Sequence, residues 1–315
     1  MSESNISYAQ NGEDIVLWRA LGQIENGTYI DVGANDPTEF SVTKKFYDAG
    51  WHGIAIEPNP EYARRFRVER PRDAVFEAVA SDSTAETLTF HLIEGTGLST
   101  LVDDISAGHA EHGHAVRDTT VDVVSLNETI EAAGLAESEI HFMSIDTEGA
   151  ETQVLASIDL TRFRPWVLVI EATEPGTSIQ VTAEWQQRVE QAGYHFTLFD
   201  GLSRFYVADE HFEELGSLLT HSAGILDRFV HIERVELQAH LDDVFRQLEQ
   251  AIDRENVLKI KLADAEQTNS RLEAELSSAR TREAELGQLV SDLQHTLSWR
   301  VTAPLRAVRG AGKKA

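Results

Sequence analysis

The sequence predicts an open, doubly wound α/β sheet that ends in an antiparallel hairpin, followed by one long helix. Three observations predict it. Strand and helix patterns alternate from residue 12 to 209, and repeated βαβ units imply a parallel sheet covered on both faces. The last two strand patterns, 194–199 and 204–208, are joined by a short turn at Asp200-Gly201, which forces antiparallel pairing. From Leu262 to Leu297 the seam positions recur at an uninterrupted three-and-four spacing, the period of a coiled coil.

The elements follow in order. A helix is expected at 14–21, then a short apolar strand at 28–32 broken by Gly33. A helix at 40–49 leads to a strand at 53–56, closed by Glu57, and to a helix at 60–70. A third strand is expected over 74–80. Residues 87–92 and 119–124 alternate apolar and polar side chains, as an edge hairpin or insertion does. Helix 125–133, strand 141–145, helix 150–157, strand 167–171 and helix 183–192 complete the alternation before the hairpin. The expected division is a domain at 1–215, a stalk at 216–298 and a basic tail at 299–315.

Composition bounds the function. The chain has 315 residues and a formal charge of −26, and it contains no cysteine. Disulfides and thiolate metal sites are therefore excluded. Residues 1–215 carry 38 acidic and 13 basic side chains. Such a surface is a poor nucleic-acid binder, because phosphates require clustered Lys and Arg. No apolar run approaches the ~20 residues that span a bilayer. Met1 to Asn11 lacks an apolar leader pattern, so a cytoplasmic location is expected.

The most informative segment is Tyr29-Ile30-Asp31-Val32-Gly33-Ala34-Asn35-Asp36. A strand that stops at an acid-x-Gly turn lets a ligand approach the backbone, because glycine has no Cβ. Ligands of open α/β sheets bind at the carboxyl ends of the strands. Glu57, at the end of the next strand, is placed to accept hydrogen bonds from a ribose diol. A dinucleotide is disfavoured, since the Gly-x-Gly-x-x-Gly pattern is missing and Asp31 and Asp36 would repel a pyrophosphate. Those acids suit a cationic, phosphate-free nucleoside such as S-adenosylmethionine.

The first 210 residues resemble the FkbM family of S-adenosylmethionine-dependent methyltransferases. The resemblance rests on Tyr8-Ala9-Gln10-Asn11-Gly12-Glu13-Asp14, Ile30-Asp31-Val32-Gly33-Ala34-Asn35, and Gly53-Ile54-Ala55-Ile56-Glu57-Pro58. It continues in Ala78-Val79-Ala80-Ser81-Asp82, Gly97-Leu98-Ser99-Thr100-Leu101 and Ser144-Ile145-Asp146-Thr147-Glu148-Gly149-Ala150-Glu151. It implies a Rossmann-like class I methyltransferase sheet and O-methylation of a sugar or polyketide hydroxyl. The expected cofactor residues are Gln10, Asp31, Gly33, Asn35, Glu57, Asp82 and Asp146. The expected catalytic residues are Asp146, Glu148 and Glu171, near the ends of the fourth and fifth strands. One carboxylate would accept the hydroxyl proton; alternatively, Asp146 and Glu171 would hold Mg²⁺. His91, His109, His112 and His114 crowd a glycine-marked stretch read as a loop over the acceptor. A histidine there is a candidate base, because its ordinary pKa is about 6.5.

The stalk and tail point to partners. Asn269 and Glu283 are polar seam positions, and Leu241, Phe245, Leu248 and Ile252 form an upstream stretch in another phase. A helix over 225–297 and a homo-oligomer are expected. In the tail, Trp299, Val301, Leu305 and Val308 interleave with Arg300, Arg306, Arg309, Lys313 and Lys314. This pattern suits an anionic membrane surface. It also resembles the Ser-Trp-Arg-x-Thr-x-Pro-Leu-Arg tails of some bacterial surface-glycan assembly proteins. The expected function is thus a sugar O-methyltransferase of surface-glycan biosynthesis. The alternatives are a coiled-coil scaffold or length gauge with a cofactor-binding module, methylation of a small secondary metabolite, and a nicotinamide oxidoreductase.

Overall fold

The computed structural model describes residues 5–93, 99–111, 115–174, 177–181, 184–304 and 306. Two compact units are present, Met1–Leu237 and Gln238–Ala315.

The first unit is built on a seven-stranded sheet: β1 (Thr28–Val32), β2 (His52–Ile56), β3 (Ala74–Phe76), β4 (Phe142–Ile145), β5 (Val167–Glu171), β6 (Tyr194–Phe199) and β7 (Ser203–Ala208). Its spatial order is β6-β7-β5-β4-β1-β2-β3. β1 to β5 pair in parallel, whereas β7 runs antiparallel to both β5 and β6. Alternate side chains of a strand point to opposite faces, and both faces here are apolar. Ile30, Ile54, Met143 and Leu168 pack with Leu126, Ile130, Val154 and Leu155 on one face. Tyr29, Phe142, Val167 and Val169 pack with Leu17, Phe46 and Trp51 on the other. Such double coverage is what a parallel sheet requires.

Two expectations are corrected here. The strand expected over 74–80 is two strands. Ala74–Phe76 pairs with β2, and Ala78–Ala80 pairs with Val116–Val124 in a separate three-stranded sheet completed by Thr87–Ile93. The break falls at Glu77, whose carboxylate accepts a hydrogen bond from Arg67. The polar stretch read as loop contains a helix, Asp103–Glu111.

Residues 216–237 belong to the first unit. Leu219 is fully buried beside Leu215, and Phe229–His231 pairs in parallel with Asn5–Ser7. The Arg19 guanidinium holds Asp227 at 2.9 Å and also donates to the Leu218 and His221 carbonyls. The long helix therefore starts at Ile232, not 225, and runs 64 residues to His295. At 1.5 Å per residue it is about 96 Å long. None of its residues is buried. Among the described residues, no helix is long and apolar enough to cross a membrane. A short helix, Leu297–Val301, follows, and Arg306 stacks over the Trp299 ring at 3.8 Å. Leu305, Val308, Arg309, Lys313 and Lys314 lie outside the described residues.

Candidate active site

Pairing register sets the site. Val32 on β1 stands level with Ile56 on β2 and with Ile145 on β4, and Ile145 stands level with Ile170 on β5. The residues that follow are Gly33, Glu57, Asp146 and Glu171. They form a row along the carboxyl edge of four adjacent strands. With strands ~4.8 Å apart, the row is roughly 14 Å long. The cleft over this edge encloses about 590 Å³ of empty space, counting its open mouth. Gly33, Asn35, Glu57, Asp146 and Glu148 line it, together with apolar groups from Ile56, Val79, Phe90, Leu101 and Val154. Apolar walls with a few convergent polar groups are the usual make-up of a small-molecule site.

The turn after β1 is glycine for a specific reason. Gly33 has φ +78°, and a Cβ there would lie 1.8 Å from the Asp146 carbonyl oxygen. The glycine lets two neighbouring strand ends approach closely, a constraint beyond the ligand approach expected from sequence. Asn35 follows in the left-handed region at φ 51°. Its N–H donates to one oxygen of Glu57 at 2.7 Å, and the Asn59 N–H donates to the other at 2.7 Å. Glu57 is thereby fixed at the cleft, with acceptor capacity left on each oxygen for a diol. Burial pushes its carboxyl up to about 7, against the lowering effect of the two amides.

The other end of the row is strongly acidic. Carboxylate oxygens of Asp146, Glu148 and Glu171 lie within 4.8 Å of one another. Oε2 of Glu148 and Oε2 of Glu171 are buried with no hydrogen-bond partner among the described residues. Burial, reinforced by the charges of Asp146 and Glu148, pushes Glu171 up to about 12. At neutral pH Glu171 therefore keeps its proton and donates it to Asp146, which tempers the rise that burial imposes on Asp146. Burial and then the Asp146 charge raise Glu148 to about 8. Asp146 retains accessible surface while lying deep among other atoms, as a group on a cleft floor does. Glu151 serves the turn instead. One of its oxygens accepts from the Thr147 N–H, the Thr147 hydroxyl and the Gly149 N–H at 3.0–3.1 Å. That turn holds Glu148 at φ 51°. The three hard oxygens of Asp146, Glu148 and Glu171 fit either a shared proton or a divalent cation of the oxygen-binding kind.

Other expected site residues lie elsewhere. Gln10 lines a different hollow, beside Tyr8 and Phe40, and Asp82 is exposed two residues beyond the cleft-lining Ala80. Asp31 is buried in β1, where the Thr43 hydroxyl donates to it at 2.6 Å, and it does not line the cleft. Asp36 accepts from the N–H groups of Thr38 and Glu39 and is paired with Arg65. The argument that Asp31 and Asp36 repel a pyrophosphate is thus corrected: both are satisfied by protein groups. The acids that line the cleft are Glu57, Asp146 and Glu148. His91 lies on the strand expected at 87–92 rather than in the stretch that follows it. It is buried on Thr87–Ile93, with Nδ1 2.7 Å from Asp118 and Nε2 2.9 Å from Asp103. His112, His114 and the His109 side chain lie outside the described residues. Sequence reasoning misses Tyr62, which lines the cleft from the first turn of the helix Pro60–Glu69. Its signal is position, five residues past Glu57 and just after the Asn59-Pro60 helix start.

The Methyltransferase FkbM domain matches residues 31–196 of this chain. Among solved structures, the chain is similar to Methyltransferase FkbM from Methylobacillus flagellatus KT at 14% identity and a TM-score of 0.37, covering 65% of this chain and 48% of that one. It is also similar to a TehB-like SAM-dependent methyltransferase from Corynebacterium glutamicum, at 10% identity and a TM-score of 0.36, with 63% and 88% covered. The chain thus spans about half the length of the Methylobacillus protein. No curated protein matches the chain. The FkbM match extends over more than half of the 315 residues and contains Gly33, Glu57, Asp146 and Glu148 as well as Glu171. The chain belongs to the FkbM methyltransferase family.

Proposed function

We propose that this protein is an S-adenosylmethionine-dependent O-methyltransferase that acts on an uncharged sugar hydroxyl during bacterial surface-glycan synthesis. The single observation that carries the reading is the row Glu57–Gly33–Asp146–Glu171 with Glu148 beside it. The Glu57 end offers acceptors for a ribose diol, next to apolar walls suited to adenine. The acidic end favours a cationic sulfonium and repels a carboxylate or phosphate acceptor. The glycan setting is supported by the likeness of the Ser298–Arg306 tail to glycan-assembly proteins.

When bound, S-adenosylmethionine supplies a methyl group already activated on a positive sulfur. Glu57 would hold its ribose diol, and the methyl group would be available to an acceptor oxygen seated near Asp146 and Glu148. The remaining need is a place for the hydroxyl proton. Glu148 is raised to about 8, close to the operating pH, as a general base should be. Asp146, hydrogen-bonded to the Glu171 carboxyl, accepts a hydrogen bond from the acceptor and fixes its direction. Were Mg²⁺ bound, Asp146, Glu148 and Glu171 would hold it, and it would acidify the hydroxyl.

Calorimetry with S-adenosylmethionine and with NAD⁺ tests the cofactor half: the first should bind and the second should not. Methyl transfer from labelled cofactor to neutral glycans, to uronic acids and to sugar phosphates tests the acceptor half, run after EDTA treatment with and without Mg²⁺. Label should enter neutral glycans. Absence of cofactor binding, or transfer confined to anionic acceptors, overturns the proposal.

A further inference from the structure

We propose that the helix of the second unit pairs with the same helix of a second copy, in parallel and in register, over Leu262 to Leu293. This inference stands apart from the catalytic reading and does not depend on it.

The seam is mostly apolar, and among the described residues nothing covers it. Leu272, Leu276, Leu286, Val290 and Leu293 share one face and remain about half exposed on the single helix. A stripe of this length without a covering element marks an association surface. In heptad terms Leu262, Asn269, Leu276, Glu283 and Val290 are a positions; the d positions are all Ala or Leu.

Two features select the occupant and its direction. In a parallel pair, each g side chain lies against the e side chain five residues further along the other helix. Lys261 then meets Glu266, and Glu275 meets Arg280. The other g–e combinations, Thr268 with Glu273, Arg282 with Gly287 and Leu289 with Gln294, contain no like charges. Lys261, Glu266 and Arg280 have no ion pair within their own helix among the described residues. Asn269 is the second feature. On the single helix its amide donates only to the exposed Glu273, at 3.2 Å. In a parallel, in-register pair a faces a, so Asn269 meets the other copy's identical side chain. In an antiparallel pair a faces d, so Asn269 would be set against alanine or leucine. A buried asparagine at a is the device that fixes register and favours two strands. Glu283 is the weak layer of the seam, because two carboxylates face each other there.

The absence of cysteine from the chain makes the test direct. In the full-length protein, Leu272→Cys and Leu293→Cys are made separately and oxidised gently. Identical positions lie within disulfide reach in a parallel, in-register pair. Both variants should cross-link fully, and Ser278→Cys, on the outer face, should not. An antiparallel pair cross-links at one of the two positions at most. Sedimentation should give twice the chain mass. Lys261→Glu should weaken the pair about tenfold, and adding Glu266→Lys should restore it, since the charges are swapped rather than removed. Glu283→Leu should tighten it. A single-chain mass at micromolar concentration, cross-linking at only one position, or failure of the charge swap to restore pairing overturns the proposal.

Discussion

The turns after β1 and β4 are both acidic, and they treat their acids in opposite ways. After β1, Asp36 accepts two backbone N–H groups and pairs with Arg65, while Asp31 is held by Thr43. After β4, Glu148 and the neighbouring Glu171 on β5 each leave a buried oxygen without a partner. A buried polar group left unpaired costs stability. The first turn therefore spends its carboxylates on the fold, whereas the second spends Glu151 and leaves Glu148 at the cleft. Composition alone does not separate the two; the partners do.

The largest expected effect joins the two turns physically. Gly33→Ala places a Cβ against the Asp146 carbonyl and forces a left-handed alanine. Gly134 has nearly the same φ, +73°, but a Cβ there would meet nothing within 4 Å. Gly134→Ala thus isolates the conformational cost, about 1 kcal/mol. Gly33→Ala should cost about 3 kcal/mol or more in urea unfolding and abolish cofactor binding. Equal losses for the two variants would show that β1 and β4 can part without penalty.

The next effect is kinetic. Glu148→Gln should lower kcat about 100-fold and leave cofactor affinity within about threefold. Wild-type kcat should rise as pH passes the Glu148 value of about 8, because the ionised form accepts the proton. The variant should lose that rise. Stability runs the other way. Glu148 has a folded pKa above its ordinary 4.5, so its stabilising contribution is complete below about 4.5 and lost as pH climbs through 8. Melting curves of wild type and variant should therefore agree below about pH 4.5, separate between there and pH 8, and keep a constant gap above pH 8, with the variant the more stable. A pH–rate profile that keeps its rise in Glu148→Gln would move the base elsewhere.

Much of this is legible in the sequence. Strands 28–32, 167–171 and 194–199 fall where apolar runs and turn residues put them. Glu57, Asp146 and Glu171 are readable because each closes an apolar run, and parallel register then aligns them. What stays hidden depends on contacts distant in sequence. The Arg65 that pairs Asp36 is 29 residues away. The change of strand partner at Glu77 follows from where Val116–Val124 returns. Gly33 reads in the sequence as a cleft glycine alone, because the Asp146 carbonyl it also makes room for, 113 positions on, leaves no local trace. His91 reads with its polar neighbours, although the strand Thr87–Ile93 carries it inward between Asp103 and Asp118.

The smallest expected effect is the sharpest check on the contrast between the turns. Asp36 has two separable duties: it caps the Thr38 and Glu39 amides, and its charge meets Arg65. Asp36→Asn keeps an oxygen for the amides and removes the charge. Arg65 is about a third exposed, so solvent screens the pair, and the loss should be about 0.5 kcal/mol. Asp36→Ala removes both duties and should cost about 1.5 kcal/mol, most of it from the cap. Neither variant should change cofactor affinity by more than about twofold, because the Asp36 charge is spent on Arg65 and not on the ligand. Calorimetry on both variants reads this directly. A tenfold change in affinity for Asp36→Asn would mean that the β1 turn, like the β4 turn, presents its charge to the cofactor.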